Sequence, residues 1–190
     1  MRGQAMTKIV SKLDRLGANI TSFTALEFFA RKGNWHTLSY SKMGTPISAW
    51  EIEAKFLDDL RQNLPNSFIR IGDSFELAKE IQYSNSFNFI VFDNPQGIYG
   101  QNYCEHFECL SLIPKLISND GGIVIFNINR APFDYDKQSI WAMRRNTYYG
   151  IDDASNLDTK FLMNFYENSK FYQKIKNARR KTFKRRYWFY

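Results

Sequence analysis

A chain of 190 residues with 44% hydrophobic and 17% aromatic residues can bury a core without disulfides or metals, and its Phe, Tyr and Trp content sets it apart from disordered chains. No stretch approaches the ~18 apolar residues of a membrane span, and the first residues lack the apolar core of a secretory signal, so a soluble, cytoplasmic protein of one domain is expected. The formal charge of +7 is unevenly placed: residues 1–169 carry 17 basic and 19 acidic groups, whereas residues 170–190 carry nine basic groups and no acid.

In chain order, "AMTKIVSKLDRL" places Ile9, Leu13 and Leu16 at helical spacing, which predicts an N-terminal helix within residues 1–19. The apolar run "SFTALEFFA" predicts a first strand. "ISAWEIE" predicts a second, running into the helix "EAKFLDDLRQNL" that Pro65 stops. "SFIRIGDSF" reads as a third strand followed by the helix "FELAKEIQ", and "FNFIVFDNP" as a fourth strand that is apolar until Asp93. "YCEHFECLSLIPKLI" reads as a helix kinked at Pro114, and "GIVIFNINR" as a fifth strand. Helices are expected over 138–146 and 159–168, with an antiparallel hairpin in the basic tail. Continuous apolar strands separated by helices predict an α/β fold with a doubly wound, mostly parallel sheet covered on both faces. The core spans residues 20–130; residues 131–190 add helices and the hairpin.

Cys104 and Cys109 are the only cysteines. Five residues apart on a helix they point about 140° from each other, which suits neither a bridge nor a shared metal. "CEHFEC" therefore reads as thiols packed beside a helix, and no metal site is assigned.

In a doubly wound sheet, ligands bind outside the carboxyl ends of the strands. Those ends carry Glu27 with Gly33, then Glu51, then Asp73 with Ser74, then "DNPQG" beginning at Asp93. A carboxylate after the second strand can accept both hydroxyls of a ribose, and one after the third can accept the exocyclic amine of adenine, so the set suits an adenosine ligand. Each acid also has a plainer reading: Glu51 and Glu53 both stand at a helix start, where acids favour the dipole, and Asp73 can simply cap the helix beginning near Phe75.

On these residues the sequence resembles the class I S-adenosylmethionine-dependent methyltransferases over roughly residues 20–130. "LEFFARKG" resembles their first motif, "WEIEAKF" the second, "IGDSF" the third and "FDNPQG" the fourth. The resemblance implies S-adenosylmethionine as methyl donor and S-adenosylhomocysteine as product. It implies that Glu27 and the backbone from Ala30 to Gly33 lie beside the methionine part, that Glu51 binds the ribose, that Asp73 with Ser74 faces the adenine, and that Asp93 lies where donor and acceptor meet. The first motif departs from the family: Phe28, Phe29, Ala30, Arg31 and Lys32 stand where glycines are usual, with Gly33 alone retained. That departure argues against a nicotinamide dinucleotide, whose pyrophosphate needs closely spaced glycines at a helix start.

Near the fourth motif, Tyr99 is a candidate to stack on or contact the acceptor, and His106 is a candidate base for methyl transfer to a hydroxyl. A polar helix start is the plainer reading of His106. The acceptor expected is a small molecule or carbohydrate, with RNA or DNA as the alternative and a catalytically inactive binding subunit as another. The tail can track phosphates, so nucleic acid is a possible partner through residues 170–190, or it can be an amphipathic hairpin with charges in water.

Overall fold

The computed structural model describes residues 4–92, 97–99, 102–132 and 139–169. The C-terminal hairpin expected in the basic tail lies outside these residues, as does Asp93. The chain divides into two compact units, Met1–Asn94 with Leu112–Phe126, and Pro95–Ser111 with Asn127–Tyr190.

The elements in chain order are α1 (Gln4–Arg15), β1 (Ala25–Glu27), α2 (Leu38–Ser41), β2 (Ile47–Glu51), α3 (Leu57–Asn63), β3 (Phe68–Ile71), α4 (Ser74–Leu77) and β4 (Phe89–Phe92). There follow β5 (Gly97–Tyr99), β6 (Asn102–Cys104), α5 (His106–Leu110), α6 (Ile113–Leu116), β7 (Ile123–Phe126), α7 (Ser139–Tyr149) and α8 (Thr159–Asn168). In the first unit five strands form one sheet in the order β3-β2-β1-β4-β7, and every pair is parallel. The central strands β1 and β4 are buried along their whole length, as continuous apolar runs require.

Strand alternation sorts the core into two faces. Ala25, Ile47, Ala49, Phe89 and Val91 pack with Met6, Val10 and Leu13 of α1 and with Leu60 and Leu64. On the other face Trp50 is surrounded by rings: Phe28 at 5.3 Å, Tyr83 at 4.8 Å and Phe87 at 6.1 Å between centroids. By the same alternation Glu27 and Glu51 both fall on the α1 face.

Several local expectations shift. The buried stripe of α1 is Met6, Val10 and Leu13 rather than Ile9, Leu13 and Leu16, because the helix ends at Arg15 and leaves Leu16 beyond it, 44% exposed. The helix expected after β3 is only the single turn of α4, followed by a separate 3-10 turn at Ile81–Tyr83. The long kinked helix expected over 103–117 is instead a strand and two short helices. Asn102–Cys104 pairs antiparallel with Gly97–Tyr99, and Pro114 lies in the first turn of α6, where its missing N–H costs nothing. The two cysteines therefore do not share a helix: Cys104 closes β6 and Cys109 lies in α5, both buried and free. The Cys104 thiol beside it, together with burial, pushes the Cys109 thiol up.

In the second unit α7 and α8 form where expected, and α8 starts at Asp158, whose carboxylate accepts from Phe161 N at 2.8 Å. Among the described residues no helix is long and apolar enough to cross a membrane.

Candidate functional site

The sheet order reverses beside β1: β2 and β3 lie to one side, β4 and β7 to the other. A crevice outside the carboxyl ends of β1 and β4 is where such sheets bind ligands. Glu27 ends β1, Glu51 ends β2 and Asp73 follows β3, so three of the expected acids come to one edge of the sheet.

Each of these acids already has a partner. Glu27, 2% exposed, accepts at Oε2 from Thr37 Oγ1 at 3.1 Å and from the Tyr40 hydroxyl. Tyr40 is itself buried, edge-on to Phe89 at 5.2 Å. Glu51, 3% exposed, accepts from Arg31 N at 2.6 Å through Oε2 and from Glu53 N at 2.8 Å through Oε1. Asp73 caps α4 by accepting from Phe75 N at 2.8 Å, and buried Ser74 donates to the Phe28 carbonyl. Glu53, the rival acid, forms no side-chain cap and pairs with Lys55.

These bonds shape the glycine-poor loop. Ala30 N donates to Trp50 O at 2.9 Å and Gly33 N to Ala30 O at 2.7 Å, which ties the loop to β2 and turns it. Arg31 takes φ 46°, a left-handed conformation that glycine adopts freely and other residues adopt at a cost of roughly 1–2 kcal/mol. The hydrogen bond from its amide to Glu51 helps hold it there. Gly33 also has a positive φ, 66°, and a Cβ at that position would stand 2.7 Å from Leu64 Cδ1. The one glycine retained in this stretch thus lets the loop pass close over Leu64.

No family model matches the sequence, and no curated protein matches it. Among solved structures, a proposed methyltransferase (BH2331) from Bacillus halodurans C-125 matches with a TM-score of 0.51 at 12% identity, over 84% of this chain and 67% of its own. Another proposed methyltransferase, yhhF from Escherichia coli, matches with a TM-score of 0.50 at 15% identity, over 65% of this chain and 68% of its own. The fold, with its five-stranded parallel sheet, is similar to that of these two proteins. In a methyltransferase fold the edge that gathers Glu27, Glu51 and Asp73 is the edge to test against the methyl donor. An ionised carboxylate has about four lone-pair sites. Each oxygen of Glu51 accepts one backbone N–H and keeps capacity for a hydroxyl, and Asp73 uses only Oδ1 for its cap, so the donor set fits an adenosine.

The expected acceptor residues are placed differently. Tyr99 closes β5 and His106 opens α5, both in the second unit. His106 is 1% exposed and both ring nitrogens are engaged: Nδ1 with Glu105 Oε2 at 3.2 Å and Nε2 with the Tyr166 hydroxyl. A carboxylate only accepts, so in the neutral ring Nδ1–H donates to Glu105 and Nε2 accepts from Tyr166. Burial holds the His106 pKa below its ordinary value, against the opposing pull of Glu105. Glu105 also accepts from Trp141 Nε1 at 3.2 Å and from Arg145 Nη1 at 2.5 Å, and Arg145 donates on to the carbonyls of Ala154 and Asn129. Burial pushes the Glu105 carboxyl up, but His106 and Arg145 outweigh it and hold it low. This enclosed cluster joins α5 to α7 and α8, and it buries His106 rather than leaving it as a polar residue at a helix start.

Sequence reasoning missed Thr37 and Tyr40 as the partners of Glu27. Their spacing of three, which puts both on one helical side, was the available signal. It also missed Arg145, for which adjacent arginines in a mixed helix give no distinguishing mark.

Proposed function

We propose that this chain is an S-adenosylmethionine-dependent methyltransferase acting on an oxygen or nitrogen of a small molecule or carbohydrate. The observation that carries the reading is Glu51, a buried carboxylate at the end of β2 beside the point where the strand order reverses, with acceptor capacity left on both oxygens. Glu51 would hold the ribose hydroxyls, and Asp73 would take the adenine amine while Ser74 keeps the loop carbonyl of Phe28 in place. Glu27, clamped by Thr37 and Tyr40, and the backbone from Ala30 to Gly33 would flank the methionine part. The donor supplies an activated sulfonium methyl group, so orientation alone can lower much of the barrier and few catalytic groups are needed. From the sequence resemblance alone, Asp93, outside the described residues, would lie where donor and acceptor meet, and Tyr99 stays a sequence-based candidate for the acceptor. His106 is withdrawn as the base, since its ring is enclosed and both nitrogens are engaged.

Calorimetric titration with S-adenosylmethionine and S-adenosylhomocysteine tests the reading. Micromolar binding that Glu51→Ala weakens tenfold or more, about 1.4 kcal/mol, is the expected result. A second reading, a methyltransferase fold that has lost its cofactor and serves as a binding subunit, draws support from the deep burial and prior engagement of Glu27 and Glu51. Absence of saturation by a folded protein selects that reading.

A further inference from the structure

The chain has two cysteines in 190 residues, and the fold brings both to the start of α5. Glu105 caps this helix through a reciprocal pair of bonds: its side chain accepts from the backbone N–H of Glu108, and the Glu108 side chain accepts from Glu105 N at 2.7 Å. In a helix start of this kind the residue before the cap packs against the fourth residue after it. Those two positions are Cys104 and Cys109. Both are buried, Cys104 5% and Cys109 0% exposed, and both are free. Their thiols are hydrogen-bonded to each other, and this contact, ahead of burial, pushes the Cys109 thiol up. The Cys104 thiol in turn donates to the Glu105 carbonyl at 3.7 Å. Packing alone does not ask for sulfur here, since any pair of apolar side chains would close the same contact.

We propose that Cys104 and Cys109 form a dithiol modification site, which a hydroperoxide converts reversibly into an intramolecular disulfide across the N-terminus of α5. In the first step the Cys104 sulfur attacks a peroxide oxygen and the O–O bond breaks. Cys104 becomes a sulfenic acid, and its thiol proton leaves with the released alcohol, or with water when the oxidant is hydrogen peroxide. In the second step the Cys109 sulfur attacks the Cys104 sulfur, the S–O bond breaks, and the Cys109 proton leaves with the hydroxide as water. Two thiols and one hydroperoxide thus give one disulfide, one alcohol and one water. Burial slows the first step, because the thiolate is the attacking species and apolar surroundings disfavour it. The second step joins side chains already in contact, so the sulfenic acid is captured before it oxidises further. The bridge would enclose Glu105, whose carboxylate accepts from Arg145 at 2.5 Å, so oxidation acts on the helix start that carries this buried pair. The inference uses none of the residues assigned to the methyl donor and stands independently of that reading.

The test is a time course of the full chain in hydrogen peroxide, with thermal melting to verify the fold under the conditions used. Samples are quenched in acid, unfolded, alkylated at the remaining thiols and weighed by mass spectrometry. The peroxide dose is set beforehand as one that oxidises the thiols of the urea-unfolded chain. Folded wild type is expected to lose two hydrogens and both alkylation sites, to recover both sites in dithiothreitol, and to give no adduct with dimedone, which traps sulfenic acids. Cys109→Ser is expected to form no intramolecular bridge and to give a dimedone adduct at Cys104. Cys109→Ala replaces it if the serine variant melts without cooperativity, and the wild-type result stands without either. Two alkylatable thiols persisting in folded wild type throughout the time course would overturn the inference. Sulfinic or sulfonic acids in place of the bridge, or a bridge between two chains, would overturn it as well.

Discussion

The most demanding residue-level contact is Glu105 with Arg145, two opposite charges whose side chains are both 0% exposed. Removing one partner of a buried pair strands the other in a low-dielectric interior, at a cost of about 3–5 kcal/mol. Glu105→Ala is therefore expected to lower unfolding free energy by that amount in urea denaturation, with Arg145→Ala comparable, and the double variant should cost less than the two summed because neither charge is then stranded. Arg31 offers the opposite case. Its φ of 46° is strained, so Arg31→Gly is expected to raise stability by about 1 kcal/mol, read as a higher melting temperature. An unchanged or lower value would mean that the contact of its guanidinium with the Phe56 ring outweighs the strain.

At the scale of elements, caps and close approaches decide where helices and loops stop. Asp73 and Asp158 each accept a backbone N–H at the start of a helix, and replacing such a cap with alanine costs about 1 kcal/mol. Asp73→Ser separates the two readings of Asp73, since serine still caps but lacks the carboxylate. Stability should hold while affinity for an adenosine ligand falls, whereas unchanged affinity would leave Asp73 a cap only. Gly33→Ala would require both a left-handed alanine and displacement of Leu64, whose Cδ1 lies 2.7 Å from the new Cβ. A loss of about 1–3 kcal/mol is expected for this overpacked, strained position, with the loop moved off Leu64.

At the scale of the whole molecule, acid should act on the second unit through His106. Its folded pKa lies below 6.5, so the folded state binds fewer protons than the unfolded one as pH falls through that value. This contribution is complete above pH 6.5 and is lost as pH falls through 6.5 toward the folded value. Glu105, lowered from 4.5, adds a second loss below that pH. Melting temperature should therefore begin to fall near pH 6.5, and His106→Gln should flatten that first stage and also shrink the second, because His106 helps hold the Glu105 carboxyl low. At the alkaline end Tyr148 is pushed up to about 12, mainly by burial, so its folded state keeps a proton that the unfolded chain sheds above 10, and stability should decline between those values.

The sequence by itself pointed to a mostly parallel α/β sheet, since apolar strands separated by helices favour parallel crossovers, and it located the acids at three strand ends, because a strand's end is marked by where its apolar run stops. It also placed α8 over 159–168, and the Asp158 cap that starts this helix is a local feature. Tertiary structure alone decided the rest. Whether Glu51 is free or fastened depends on Arg31, 20 positions away, and a hydrogen bond across such a distance leaves no periodicity to read. His106 stood in the sequence as a polar residue near a motif, and only the packing of α5 against Trp141, Arg145 and Tyr166 made it an enclosed one. Local pattern reports what a segment can form, while burial and long-range partners, which set what a charged group can do, exist only once the chain has closed on itself.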